Sequence, residues 1–226
     1  MDNPLILMLR LEGPLQSWGE RARWDYRDTA AIPTKSGVVG LLACAMGMPR
    51  LDPSILELDE KLMMGVRVDR AGTVMTDYQT SSGFIRTADG KQRGVKGRES
   101  TIQSWRQYLQ DAAFLVALSG DETLLRQCVI GLQRPRWPVF LGRKSCVPTR
   151  PVFEALTNKF GSLEDVLRHY PLSEHGDQGH DLVCEIELLL HGEYRRRDKI
   201  LGTPFPMYGE RRIQIIAVPS KEVRPQ

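Results

Sequence analysis

Two short apolar runs constrain this chain more than anything else in it. Leu5-Ile-Leu-Met-Leu-Arg-Leu11 and Ala112-Ala-Phe-Leu-Val-Ala-Leu118 are nearly continuous rather than alternating, so each reads as a strand buried on both faces. After the first run, Pro33-Thr34 opens a segment from Lys35 to Gly47 whose apolar residues face nearly all round and whose Gly37, Gly40 and Ala43 allow close packing. That pattern predicts a buried helix, capped by Thr34 or Ser36. Asp52 to Met64 predicts a second, amphipathic helix with Ile55, Leu58 and Leu62 on one stripe, and Val66 to Asp69 a strand that turns at Ala71-Gly72 and returns as Val74 to Tyr78. Past the second run, Gly120-Asp121 opens a helix from Glu122 to Leu132. A strand near Val139 to Leu141 would complete βαββαβ, the ferredoxin-like, RRM-like order found in many RNA-binding domains and in many others.

The expected class is therefore α+β. Residues 1–149 form the ferredoxin-like domain and 150–226 a smaller, mostly β part packed on it, with a soft boundary near Thr149. In that second part Leu163 to Tyr170 reads as helix, Ser173 to Asp181 as a polar loop, and Leu182 to Leu190, Tyr194 to Leu201 and Arg212 to Val218 as strands.

Charge separates along the chain. Residues 1–79 carry 9 Lys/Arg against 11 Asp/Glu and residues 151–226 carry 10 against 12, whereas residues 80–150 carry 12 against 5. The middle excess of +7 is the counter-charge a phosphate backbone requires, although a solvated surface is the competing reading. Within it, residues 80–100 hold four glycines and five basic residues with only Phe84, Ile85 and Val95 as bulky apolar side chains. Such a stretch has no core of its own and must project, with Asp89-Gly90 as a hairpin-turn signal. Arg86, Lys91, Arg93, Lys96 and Arg98 are its candidate RNA-binding cations.

No run approaches the roughly 20 apolar residues of a membrane helix, and Met1 to Pro4 lead into no signal-peptide core, so a cytoplasmic location is expected. Cys44, Cys128, Cys146 and Cys184 are scattered as reduced core thiols would be, and no metal or cofactor is expected. Gly142-Arg-Lys-Ser145 lacks the spacing of a P-loop, Gly-x-Ser-x-Gly is absent, and His175 and His180 share a Gly-rich segment rather than one helix face. A metal-independent ribonuclease needs only a base, an acid and a cation, and Tyr26, Tyr78, Tyr108 and Lys144 keep that alternative open.

Groups suited to RNA are easier to find. Lys35 and Ser36 sit at a helix start, where free N–H groups and the dipole favour a phosphate, with an ordinary first-turn lysine as the alternative. Trp18, Trp24 and Tyr26 lie among Arg21, Arg23 and Arg27, a mixture of stacking faces and cations. Burial as a core anchor competes for Trp18, and ion pairs with Asp25 and Asp28 compete for Arg23 and Arg27. Arg106 lies in a strand on the face opposite its neighbours, and the flanking Trp105 and Tyr108 are read as packing.

Four segments together resemble one family: Leu11-Glu-Gly-Pro-Leu-Gln-Ser-Trp-Gly19, Pro33-Thr-Lys-Ser-Gly-Val-Val-Gly-Leu-Leu42, Glu99-Ser-Thr-Ile-Gln-Ser-Trp-Arg-Gln-Tyr-Leu-Gln-Asp-Ala112 and Leu141-Gly-Arg-Lys-Ser-Cys146. They look like the CasD family of type I-E CRISPR Cascade, within the repeat-associated RNA-binding superfamily. The resemblance spans roughly residues 4–153 and is specific as a set. It implies a ferredoxin-like body with a thumb at about residues 80–100, a non-catalytic subunit that binds the crRNA 5′ handle. It also implies a place beside a Cascade backbone subunit and the large PAM-reading subunit, with target DNA met only through the complex and no membrane partner. By the same resemblance Trp18, Lys35, Ser36, Arg143, Lys144 and Ser145 acquire RNA-binding roles. A type I-C relative cuts its own guide RNA with Tyr, Lys and His, whereas Lys96-Gly-Arg98 has no histidine beside it.

Overall fold

The computed structural model describes residues 3–21, 25–83, 85–86, 91–93, 100–177, 179–190, 192–202, 207–221 and 223. Thirteen strands and four helices follow in chain order: β1 (Ile6–Glu12), β2 (Leu15–Gln16), β3 (Tyr26–Arg27), α1 (Lys35–Met46), α2 (Ser54–Lys61), β4 (Met63–Arg70), β5 (Thr73–Gly83), β6 (Ile85–Arg86), β7 (Gln92–Arg93), β8 (Ser100–Gln110), β9 (Ala113–Ser119), α3 (Glu122–Gln133), β10 (Phe153–Thr157), α4 (Leu163–His169), β11 (Asp181–Leu188), β12 (Tyr194–Ile200) and β13 (Tyr208–Pro219).

The two apolar runs are neighbours. β1 pairs antiparallel with β9 from Ile6↔Ser119 to Glu12↔Ala113, and every residue of β1 is buried. Because successive side chains of a strand point to opposite faces, Leu7, Leu9, Leu11, Phe114, Val116 and Leu118 enter one core with α1 and α3. Ile6, Met8, Leu115 and Ala117 enter another with α4. That double cover is why neither run alternates.

The whole sheet runs β10-β1-β9-β4-β11-β13-β12, antiparallel throughout. The first four places are held by the strands flanking α1 and α3. The fourth of these is β10, not the expected Val139 to Leu141, which is loop. Leu141 gives its N–H to the Cys146 carbonyl at 2.8 Å and its own carbonyl accepts from the Ser17 N–H at 3.0 Å, and Pro138 has no N–H, so the Leu141 backbone closes loops instead of joining a ladder. The C-terminal strands lie close to where the sequence reading put them. They join the first part edge to edge, since β11 hydrogen-bonds to β4 through Cys184↔Arg67 to Ile186↔Gly65 and extends the same sheet. α2 ends earlier than the sequence stripe suggests, since Met63 and Met64 already pair with Ser119 and Leu118.

α1 starts at Thr34, whose hydroxyl accepts from the Gly37 N–H, and stops at Gly47 in the left-handed conformation, φ +77°. Beside the large sheet, β5 and β8 form a long hairpin from Thr73↔Gln110 to Gly83↔Ser100, with β2 and β3 added along the other edge of β8. The basic excursion leaves from the end of this hairpin. Within it β6 and β7 pair through Ile85↔Arg93 and Arg86↔Gln92, while the expected Asp89-Gly90 turn lies outside the described residues.

Candidate nucleic-acid interface

The start of α1 is bound from beneath by carboxylates. The Lys35 N–H donates to Asp198 at 2.8 Å, and the Lys35 ammonium, only 2% exposed, lies 2.8 Å from Glu187. Arg211 bridges Asp198 at 2.6 Å and Glu185 at 2.5 Å, and Arg196 reaches the other oxygen of Glu185 at 2.5 Å. A helix N-terminus favours an anion; here Asp198 of the same chain is that anion. The expectation that Lys35 and this helix start hold a phosphate meets a structure in which Asp198 and Glu187 already engage those groups. Glu187 and Asp198 lie more than 150 residues from Lys35, so the sequence around it contains no sign of them.

Trp18 is likewise engaged within the chain, as the core-anchor reading expects. It is 1% exposed, its indole N–H donates to Gln16 at 3.1 Å, and its ring lies so close to Gly37 that a Cβ there would meet it at 2.8 Å. It offers no ring face to a base and instead fixes the loop of residues 13–19 against α1.

That loop in turn holds the segment 141–146. Gly142, at φ +89°, passes so near the loop that a Cβ would sit 1.7 Å from the Ser17 carbonyl oxygen. Arg143 locks the arrangement: its guanidinium lies 4.7 Å from the centre of the buried Tyr108 ring and donates to the carbonyls of Gln107 and Arg27, each at 3.2 Å. These contacts leave Lys144 and Ser145 exposed at the turn.

Lys144 and Ser36 then line one cavity of about 940 Å³ with Gly40, Cys44, Arg50, Trp137, Phe140 and Tyr208. Its walls are aromatic and aliphatic, and among the described residues Arg50 and Lys144 give it two cations and no acid. Burial raises the Cys44 thiol pKa, against the opposing pull of Lys144, so the thiol faces this cavity protonated. Below the helix start, Asp59 is fully buried with neither carboxylate oxygen hydrogen-bonded by a side chain. Burial pushes its pKa up to about 6 despite the nearby Lys35.

The remaining candidates scatter. Arg27 is exposed and Arg106 half-buried, and they are register partners on β3 and β8, joined to the cavity loop through Arg143. Lys91 is exposed, Arg86 and Arg93 are placed by backbone pairing alone, and Arg23, Lys96 and Arg98 lie outside the described residues, as does Trp24. Trp105, read from the sequence as packing, is 38% exposed. The sequence reading missed Arg50, Trp137, Phe140 and Tyr208; of these only Trp137, within Arg134-Pro-Arg-Trp-Pro138, stood in a cation-rich setting that signalled it.

The family model described as "CRISPR-associated protein (Cas_Cas5)" matches residues 6–209. The chain is similar to the CRISPR system Cascade subunit CasD of Escherichia coli (strain K12), with 35% identity over 193 residues, 78% of this chain and 84% of the relative. Among solved structures it resembles a Cas protein crystal structure at 34% identity and TM-score 0.73, covering 98% of both chains. It also resembles a chain of a CRISPR RNA-guided surveillance complex at 30% identity and TM-score 0.73, covering 97% of this chain and 94% of that one.

Proposed function

Because the chain belongs to the Cas5 family of CRISPR-associated proteins, as a type I-E CasD, we propose that it is a non-catalytic subunit of the Cascade surveillance complex that grips the 5′ handle of crRNA. The observation that carries the reading is the cavity where α1 meets the 141–146 loop. It joins Ser36 and Lys144, two residues of separate family-like segments, to aromatic walls and a second cation, Arg50. An apolar slot with cations at its rim suits an unpaired base with its phosphate outside. The strand order β10-β1-β9-β4 with α1 and α3 supports a ferredoxin-like body. In this reading the β5–β8 hairpin carries the thumb, the chain sits between a backbone subunit and the large PAM-reading subunit, and it works in the cytoplasm.

Catalysis finds little support on these elements. Tyr108 is buried beneath Arg143, and β3, β5 and β8 carry no histidine to pair with Tyr26 or Tyr78. Incubating the full chain with cognate repeat RNA in EDTA tests both halves of the proposal. Retention of intact RNA, weakened by Lys144→Ala, is the expected result. A discrete cut overturns the non-catalytic assignment, and failure to retain the handle overturns the grip.

A further inference from the structure

Three aromatic rings take no part in the cavity. Tyr26 of β3 is the register partner of Trp105 on β8, and Trp105 is in turn the partner of Tyr78 on β5. Directly paired residues on neighbouring strands point to the same side, so the three side chains stand in a row across strands about 4.8 Å apart. All are open to solvent, at 42%, 38% and 51% for Tyr26, Trp105 and Tyr78. Tyr78 and Trp105 touch, with ring centres 5.3 Å apart and planes tilted by 46°.

The surroundings tell what such a row is for. Along the same face of the hairpin stand Thr76, Thr80 and Ser82 of β5 with Thr101 and Gln103 of β8, all exposed. Apart from Val74, which is exposed on the same face at the base of the hairpin, they are uncharged donors and acceptors rather than the aliphatic surround of a protein-docking core. Arg27, Arg106 and Asp77, in register one residue along, occupy the opposite face. Beyond the hairpin, residues 84–98 contribute Arg86, Lys91, Arg93, Lys96 and Arg98 against the single acid Asp89. Flat rings, amide and hydroxyl edges, and a basic extension together are complementary to a polyanion that carries planar bases.

We propose that Tyr26, Trp105 and Tyr78 form a stacking platform for unpaired bases of single-stranded RNA, a second subsite separate from the cavity. The proposal rests on the reading that this chain binds guide RNA. It extends that reading to a stretch of the strand that the hairpin holds by ring faces rather than by charge.

The test uses the full chain and fluorescence anisotropy on two labelled strands of roughly 16 nucleotides. One is oligouridine and the other has the same ribose-phosphate backbone without bases. The Tyr78→Ala/Trp105→Ala double variant should bind oligouridine about tenfold or more weaker, with an unchanged slope of affinity against salt, because stacking releases no counterions. It should bind the abasic strand as the unaltered chain does, and Trp105→Phe should keep oligouridine affinity. An equal loss on both strands, or no loss on either, overturns the platform, as does tighter binding of the matching deoxyribose strand. If Lys144→Ala weakens binding while the double variant does not, the cavity reading survives and the platform falls. If the unaltered chain binds neither strand, the RNA-binding reading itself fails.

Discussion

Beneath the start of α1, positive charge is turned inward; in the loop that meets the same helix, it is turned outward. Lys35, Arg211 and Arg196 are held by Glu187, Asp198 and Glu185 at 2.5–2.8 Å. Lys144, by contrast, stands exposed on a turn whose shape is fixed by Gly142 and Arg143. Both regions lie at family-like segments, and a one-dimensional reading gave Lys35 and Lys144 the same role. The difference is partners: a buried cation needs an acid within reach, whereas an exposed one is free to meet a phosphate that belongs to another molecule.

The largest expected effect belongs to the inward side. Lys35→Ala leaves Glu187 buried without its ammonium, and losing one member of a buried pair costs about 3–5 kcal/mol. Denaturant midpoints measure it, and the fraction that remains folded should bind RNA with ordinary affinity. Unchanged stability with weakened RNA binding would break the contrast, because Lys35 would then be facing the ligand.

Next comes Asp59, fully buried beside the same cluster with its pKa raised by burial to about 6 from 3.8. A raised native pKa means that the folded state holds the proton more tightly than the unfolded one, so this group's contribution to stability falls as pH rises from about 4 to about 6. Asp59→Asn removes that slope. The stability of the variant relative to the unaltered chain should therefore improve across this window by roughly 2–3 kcal/mol and then level off above pH 6. Thermal melts of both proteins from acid to neutral pH read it directly, and parallel curves would show that Asp59 is already paired.

Gly142→Ala tests the joint between the two regions. The new Cβ would meet the Ser17 carbonyl, and the backbone would keep a φ of +89° that suits only glycine, together costing about 1–3 kcal/mol and displacing Lys144. Stability and RNA affinity should fall together, whereas a loop that simply moved aside would lose neither.

How far the sequence could take these assignments follows from the range of the forces involved. The buried strands, α1 with its Thr34 cap and α3 were legible, because period, capping and turn residues are written within a few neighbours. The fourth strand was misplaced because Val139 to Leu141 is apolar in the right place, yet its hydrogen bonds go to Cys146 and Ser17. For Trp18 and Lys35 the sequence left a ligand role and a structural role open, because the groups that engage them, Gly37 on one side and Glu187 and Asp198 on the other, are apparent only once the chain has folded. Trp105, read as packing, does pack on Tyr78; the alternation of β8 shows which residues share a face, but only the register with Tyr26 and Tyr78 shows that the face is open.

The smallest effect on stability should accompany the clearest effect on binding. Lys144 is exposed, and its charge only partly offsets the burial that raises the Cys44 thiol pKa, so Lys144→Ala should change folding free energy by less than about 0.5 kcal/mol. If its ammonium meets a phosphate, affinity for RNA should drop several-fold at low salt, and the slope of log affinity against log salt should shrink by about one. Arg143→Ala should behave differently, since that guanidinium is already committed to Tyr108, Gln107 and Arg27 and its loss loosens the loop as well as the charge. A Lys144 variant with an unchanged salt slope would place the phosphate elsewhere along the strip that Arg143 joins to Arg27. The outward cation would then be as structural as the inward one.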